Sequence, residues 1–231
     1  MTIAVKNSAH TKLNNFATRF VASTLGILVG IGSIEHGLLE CLQGFRPTPG
    51  MIVNALGSGY RWTAWKRGGE GAFTLIPNFL LTGIVATVLG LAIIAWSIRF
   101  IQLPHGPAAF LSLAVASFLT GGGVAQMVLF TLTWGAATRI GASLAFWRWI
   151  IPLSLRATFG RLWPWTLGAS TVLFIVALEI AVIGYVPGIS TQIELLHICW
   201  KILAFALALY LVSIVSGFAH DIEANCSIAR N

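Results

Sequence analysis

Long apolar stretches alternate with short polar ones along this chain. Five stretches hold about 20 or more mostly apolar residues, the length that crosses a bilayer as a helix; they cover residues 16–44, 73–101, 107–140, 166–186 and 191–219. The pattern therefore predicts an all-α fold, a single integral membrane domain over residues 1–231 built as a bundle of five transmembrane helices.

The stretch between the third and fourth predicted spans, residues 141–164, has a different character. It mixes arginine with tryptophan, is interrupted by Pro152, and contains Arg148, Arg156, Arg161, Trp147, Trp149 and Trp163. Arginine and tryptophan among aliphatic residues suit the headgroup layer of a membrane. We expect an amphipathic interfacial segment here, and an ordinary loop is the alternative.

Composition supports a membrane protein. Only 9% of the residues are charged and the mean hydropathy is +0.85, whereas about 25% of a soluble domain is charged. The net charge of +7 comes from basic residues that lie mostly between apolar spans, which favours membrane lipids with anionic headgroups as partners over nucleic acid. The three cysteines form no CxxC pair, so neither a disulfide framework nor a zinc signature is indicated.

The predicted orientation follows from the basic residues. Five spans place the termini on opposite sides of the membrane, and the side bearing the first and third loops would carry nine Lys/Arg against four on the other. Loops rich in Lys and Arg face the cytoplasm. The sequence therefore predicts a multi-pass protein of the cell membrane with its amino terminus outside and its carboxyl terminus in the cytoplasm.

A polar cluster interrupts the end of the first predicted span. The stretch IGSIEHGLLECLQG, residues 31–44, contains Glu35, His36, Glu40 and Gln43. His36 and Glu40 are four residues apart and share one helix face, beside a stripe of small residues that suits close helix packing: Ala22, Gly26, Gly30, Ser33 and Gly37. The His36–Glu40 stripe is therefore expected to point into the bundle.

Other polar residues are expected near the same membrane face. Asn78 lies near the start of the second predicted span, and His220 and Asp221 follow the fifth as a rim. The sequence predicts a candidate polar site near the cytoplasmic face, made of Glu35, His36, Glu40, Gln43 and Asn78. A structural hydrogen bond between helices is the alternative role for His36 and Glu40.

A second set of ionisable residues lies in the last two predicted spans. Glu179 and Lys201 reach similar depths on antiparallel helices, with His197 one turn from Lys201. Because an unpaired charge at mid-bilayer costs about 3 kcal/mol or more, we expect a buried Glu179–Lys201 ion pair. The pair would either fix the hairpin or act as a gate.

Three consecutive glycines, Gly121 to Gly123, interrupt the third predicted span. A continuous helix over residues 107–140 would be about 51 Å long, against about 30 Å of hydrocarbon. The segment must protrude, tilt or break. A broken helix exposes backbone groups that transporters use to hold ions, and a kink or a close helix contact is the alternative.

The stretches IEHGLLECLQG, TLIPNFLLTGI, FLTGGG, AATRI, LWPW and SGFAHDI occur in this order between about residues 31 and 222. In this the chain resembles a prokaryotic family of small polytopic membrane proteins with no assigned activity. The resemblance implies an integral membrane protein of prokaryotic type. It transfers no functional residue to this chain.

Three functions fit these features. The first is a transporter or channel for a small solute or ion that uses the polar cluster. The second is a structural or accessory subunit that binds lipid, a second copy or a partner membrane protein. The third and least favoured is a metal-dependent membrane enzyme with His36 and Glu40 as weak candidate ligands. The sequence identifies no cofactor.

Overall fold

The computed structural model describes residues 15–54 and 71–228, and four of the helices there are long and apolar enough to cross a membrane. These are α1 (Phe16–Cys41), α2 (Phe79–Arg99), α7 (Trp163–Ile183) and α8 (Gln192–Ile228). The shorter helices are α3 (Gly106–Phe118), α4 (Gln126–Ala137), α5 (Ala145–Ile150) and α6 (Leu153–Phe159), and the strands are β1 (Ile52–Asn54), β2 (Gly71–Thr74) and β3 (Thr120–Gly123).

Glycines bring α1 and α2 together as an antiparallel pair. A Cβ atom added to Gly30 would lie 2.6 Å from the Gly90 carbonyl oxygen, and one added to Gly37 would lie 2.6 Å from the Gly83 oxygen. The reciprocal contacts are equally close, since a Cβ on Gly90 would lie 2.7 Å from the Gly30 oxygen. The two backbones therefore touch at points seven residues apart, as small-residue helix interfaces allow.

The third predicted span is two helices instead of one. α3 runs alongside α1 in the same direction, because Phe110 lies beside Gly26 and the Ser117 hydroxyl donates to the Ser33 hydroxyl at 2.9 Å. The 13 residues of α3 and the 12 of α4 give lengths of about 20 and 18 Å. Neither helix alone is long enough to cross the roughly 30 Å of a hydrocarbon core.

α4 returns to the end of the bundle from which α3 starts. Its first residue, Gln126, accepts a hydrogen bond from Ser33 near the middle of α1. Just beyond its last residue, the Arg139 carbonyl oxygen accepts from the Asn15 side chain at 2.7 Å, at the start of α1. The segment predicted as one span over residues 107–140 is therefore a helical hairpin, and the count of five spans is not confirmed.

The hairpin turns at β3, where the helical hydrogen bonds stop. Gly121 has a φ of +111°, a conformation that only glycine adopts without strain. β3 pairs antiparallel with β2 and β2 with β1, giving a three-stranded sheet in the order β1-β2-β3. The all-α prediction therefore missed a small sheet, because its strands have only three or four residues.

The sheet also shortens the second predicted span. Residues 71–74 form β2, and α2 begins only at Phe79. The Asn78 side chain accepts from the Leu81 amide at 3.2 Å and caps the helix, which ends the extended segment.

The start of α1 lies against the last turns of α8. Both Asp221 carboxylate oxygens accept from backbone amides of α1, Ala17 at 3.0 Å and Thr18 at 2.8 Å. The Asn225 side chain donates to Asn15 at 3.0 Å. This end of the bundle is called the termini end, and the opposite end, which carries β1-β2-β3, is called the sheet end. The described residues therefore begin and end at the same end of the bundle, because the third predicted span turns back.

Residues 141–164 lie at the termini end and contain α5 and α6. The Arg156 side chain donates to the Ile151 carbonyl oxygen at 2.9 Å and to the Arg148 carbonyl oxygen. These bonds join the two short helices across Pro152.

We expect Gly37→Ala to destabilise the protein by about 1–3 kcal/mol, because the new Cβ would press on backbone atoms of α2. Gly135→Ala is the matched control, since a Cβ there meets nothing within 4 Å. Thermal unfolding in detergent should show a lower transition temperature for Gly37→Ala but not for Gly135→Ala. Equal transitions in both variants would contradict the close contact of α1 and α2.

Candidate functional site

Glu40 is the most completely enclosed ionisable side chain of the predicted cluster. It lies in the last turn of α1 and is 0% exposed. Neither carboxyl oxygen has a hydrogen-bond partner within residues 15–54 and 71–228. His36, one turn earlier, is also buried and close enough to interact electrostatically with Glu40. His36 and Glu40 thus point into the bundle, as their spacing predicts.

The Glu40 carboxyl group lies against the turn of the α3–α4 hairpin. A Cβ atom on Gly121 would collide with Glu40 Oε2 and would lie 2.9 Å from the Thr82 hydroxyl. Gly121 is therefore required for two separate reasons, its positive φ and the space taken by the carboxyl group.

Hydroxyl groups form the wall on the α2 side of Gly121. The Thr82 hydroxyl lies 2.6 Å from that of Thr74 and donates to the Thr120 carbonyl oxygen at 2.7 Å. Thr74 and Thr82 are both buried. These bonds connect β2, α2 and β3 directly behind the carboxyl group.

A second buried polar group lies two turns closer to the middle of α1. Gln126, 7% exposed, accepts from the Ser33 hydroxyl through Oε1 at 2.9 Å, and Ser117 donates to the same hydroxyl. Its Nε2 atom has no acceptor in the part of the chain that the structure describes. A Cβ atom on Gly32 would lie 2.8 Å from Nε2, so the amide faces this glycine.

Gly32, His36 and Glu40 follow one another at four-residue spacing on one face of α1. Gln126 faces the first position and Gly121 the last, so the hairpin covers the whole stripe. Acceptor oxygens lie at one end, a donor amide at the other, and an imidazole between them. This arrangement suits a proton, a small cation or ordered water.

The charge of Glu40 needs compensation. A carboxylate taken out of water without a partner costs several kcal/mol. A proton or a bound cation on Glu40 supplies that compensation, and His36 is the ionisable side chain one turn away. Among the described residues no group of three or more His, Cys, Asp or Glu side chains could hold a metal ion.

The remaining members of the predicted site lie at the same end of the bundle. Glu35 is half-buried. The Gln43 side chain donates to the Asn54 carbonyl oxygen at 3.0 Å and ties the end of α1 to β1, while Asn78 caps α2. Gln43 and Asn78 therefore hold the elements that enclose Glu40.

The predicted rim residues His220 and Asp221 lie at the other end of α1. Asp221 contacts Thr18, which is 22 residues before Glu40 and hence about 33 Å away along the helix. Its carboxylate also accepts from the Thr18 hydroxyl at 2.6 Å. The Asp221 carboxylate thus caps α1, and the His220 ring packs against Trp163 at 6.0 Å between centroids.

Glu179, Lys201 and His197 are all exposed on α7 and α8. The two helices meet at this level through apolar side chains, including Ala177 and Ile180, and the Cys199 thiol donates to the Ala177 carbonyl oxygen at 3.6 Å. Glu179 and Lys201 therefore do not form a pair buried within this chain, and an ion pair between them stays a prediction.

Sequence reasoning did not select the residues that the hairpin supplies. Gln126 and Ser117 of the hairpin, like Thr74 and Thr82 beside it, are not among the predicted site residues. The available signal was a polar residue directly after a glycine break in an apolar stretch. Hydroxyl residues in apolar helices usually bond to their own backbone, so Thr82 and Ser117 carry no distinctive pattern.

We expect Asp221→Ala to destabilise the protein strongly, because it leaves the buried amides of Ala17 and Thr18 without acceptors, each at about 1–3 kcal/mol. Glu223→Ala, two residues later on the same helix and only half-buried, is the control. Denaturant unfolding in detergent separates the two. If the unfolding midpoint shifts no more for Asp221→Ala than for Glu223→Ala, Asp221 does not cap α1.

Gly121→Ala should cost more than about 2 kcal/mol, from the strained φ together with the collision with Glu40. Gly141→Ala, with nothing within 4 Å of its Cβ, is the control. Adding Glu40→Ala to Gly121→Ala should recover the part of the lost unfolding free energy that comes from the steric collision. Strictly additive changes in the unfolding free energy would show that a side chain at position 121 does not touch Glu40.

Comparisons of this chain with protein-family models, with curated proteins and with solved structures found no match in any of the three. The geometry around Glu40 therefore carries the functional argument.

Proposed function

We propose that this protein is a membrane transporter or channel in which Glu40 binds and releases a proton or a small cation. The observation that carries the proposal is a fully buried carboxyl group with no hydrogen-bond partner in the described chain, placed against a broken helix. An ionisable residue kept inside a membrane bundle is costly and is found mainly on ion and proton pathways.

The break at β3 supports the same function. Discontinuous helices in transporters place unwound backbone and helix ends beside the bound ion. Here the non-helical residues Thr120–Gly123 lie beside Glu40, and the following helix, α4, starts with Gln126. A purely structural joint would not need a buried carboxyl group whose oxygens accept no hydrogen bond in the described chain.

The arrangement in the membrane that fits these contacts has four crossings, α1, α2, α7 and α8. The α3–α4 hairpin enters from the termini end and returns to it. Among the described basic residues, six lie at the termini end, whereas Arg46 lies at the sheet end and Lys201 lies in the half of α8 nearer the sheet end. The six are Arg19, Arg99, Arg139, Arg148, Arg156 and Arg161. The excess of basic residues favours a cytoplasmic location for the termini end.

In this orientation the start of α1 and the end of α8 lie at the cytoplasmic face. Glu40 lies near the outer face of the cell membrane. It differs from the sequence-based orientation because the hairpin puts residues 139–161 at the same end of the bundle as the start of α1, so the start of α1 becomes cytoplasmic and the loop between α1 and α2 lies outside. The α5–α6 segment then lies at the cytoplasmic surface, where its arginine and tryptophan side chains suit an interfacial position.

The site is closed towards the cytoplasmic end. Between Thr18 and Ser33 the interior face of α1 is apolar, because its side chains Val21, Leu25 and Val29 are at most 1% exposed and belong to the hydrophobic core. An ion on Glu40 therefore cannot reach the termini end without a rearrangement. The α3–α4 hairpin, which covers the stripe, is the element whose movement would open that route.

Glu40→Gln tests the proposal. The unmodified protein, reconstituted into liposomes with an imposed pH or cation gradient, should show an ion flux. The flux through Glu40→Gln should be at least about tenfold lower. The variant should unfold at the same or a higher temperature, because a neutral amide is cheaper to bury than an unpaired carboxylate. Sodium, potassium and proton gradients, imposed separately, identify the ion.

Glu194→Gln, an exposed carboxyl at the sheet end, is the matched control and should transport normally. Absence of flux with every gradient, together with lower stability of Glu40→Gln, would reject transport. That result would favour the accessory role, in which Glu40 is part of the packing.

A further inference from the structure

The α5–α6 segment carries a preformed apolar groove. Residues Ile150, Ile151, Leu155 and Phe159 line most of a cavity of about 320 Å³ between the two short helices and the start of α7. That is about ten times the volume of one water molecule in the liquid, enough for part of an acyl chain. The groove is open, since Leu155 is exposed.

Hydrogen bonds hold the groove in shape. The Arg156 guanidinium group donates to the carbonyl oxygens of Ile151 and Arg148, across the Pro152 break. Ile151 is buried while its neighbours on both sides are exposed. The two helices are thus fixed relative to each other by bonds that do not depend on an occupant.

The charge around this groove has one sign. Arg148 and Arg161 are exposed, Arg156 is half-buried, and residues 141–164 contain no acidic residue. The end of α6 packs against α8 at His220. Of the acidic residues that follow there, Asp221 has both oxygens engaged with α1 and Glu223 is half-buried. The exposed arginines therefore present donors suited to a phosphate group.

Aromatic side chains set the depth of the segment. Trp149 is 84% exposed and Trp165, in the first turn of α7, is 78% exposed. Tryptophans exposed in this way lie at the headgroup layer in membrane proteins. Exposed tryptophans beside the groove therefore suit a groove at the level where acyl chains begin, next to arginines at the level of the headgroup phosphates.

We infer that the groove between α5 and α6 binds one anionic phospholipid, with an acyl chain on Ile150, Leu155 and Phe159 and the headgroup phosphate on Arg148 and Arg161. A soluble apolar partner would leave the arginines uncompensated, and a second copy of this chain would bring arginine against arginine. An anionic lipid satisfies both the apolar groove and the basic edge. This site is independent of Glu40.

The test compares two lipids with identical chains, phosphatidylglycerol and phosphatidylcholine, added to the protein in mild detergent. Native mass spectrometry measures the bound lipid, and thermal unfolding measures the stabilisation. We expect about a tenfold preference for phosphatidylglycerol. Arg148→Gln/Arg161→Gln should abolish that preference, and Arg46→Gln/Arg99→Gln, which removes two exposed arginines elsewhere, should retain it.

Leu155→Trp keeps the arginines and fills the groove, so it should weaken binding of both lipids. Unfolding in detergent without added lipid shows whether each variant is folded. Equal binding of the two lipids, or equal losses in the two arginine double variants, would overturn the inference. A protein dimer that displaces the lipid would overturn it in favour of self-association.

Discussion

A helix that breaks inside an apolar bundle must find partners for the N–H and C=O groups that it frees, because lipid offers none. The glycines at 121–123 break the third apolar segment, and β2 supplies the missing partners through its pairing with β3. That pairing draws the loop between α1 and α2 into the bundle as a sheet. Thr74 and Thr82 meet behind Gly121 as a result, and the absent side chain of Gly121 leaves the space that the Glu40 carboxyl group occupies.

α1 is the element on which both ends of the bundle depend. At the termini end Asp221 caps its first turn, and at the sheet end Glu40 lies under the hairpin turn. Glycine contacts with α2 fix its position in between. The hairpin covers the polar stripe through the bond between Gln126 and Ser33 and through apolar side chains such as Leu129 and Phe130, which share one core with α1. Opening the proposed route would require the hairpin to leave these contacts.

Sequence reasoning could identify the membrane class, four of the helices and the inward direction of His36 and Glu40, since these follow from apolar length and from helical spacing. It could not decide whether the glycine run kinks or reverses the chain, because both outcomes have the same apolar pattern. The reversal decides whether residues 139–161 lie at the same end of the bundle as the start of α1, and thus which orientation the basic residues favour. The role of Asp221 as a cap joins residues more than 200 positions apart, which no local pattern encodes.

The central claim, that Glu40 exchanges an ion, is tested most directly by difference infrared spectroscopy of the protein in lipid as pH and cation concentration are varied. The account predicts a carboxyl band that responds to one of these variables and is missing in Glu40→Gln. Identical difference spectra for the unmodified protein and Glu40→Gln would contradict it, and would mean that the buried carboxyl group serves only to pack α1 against the hairpin.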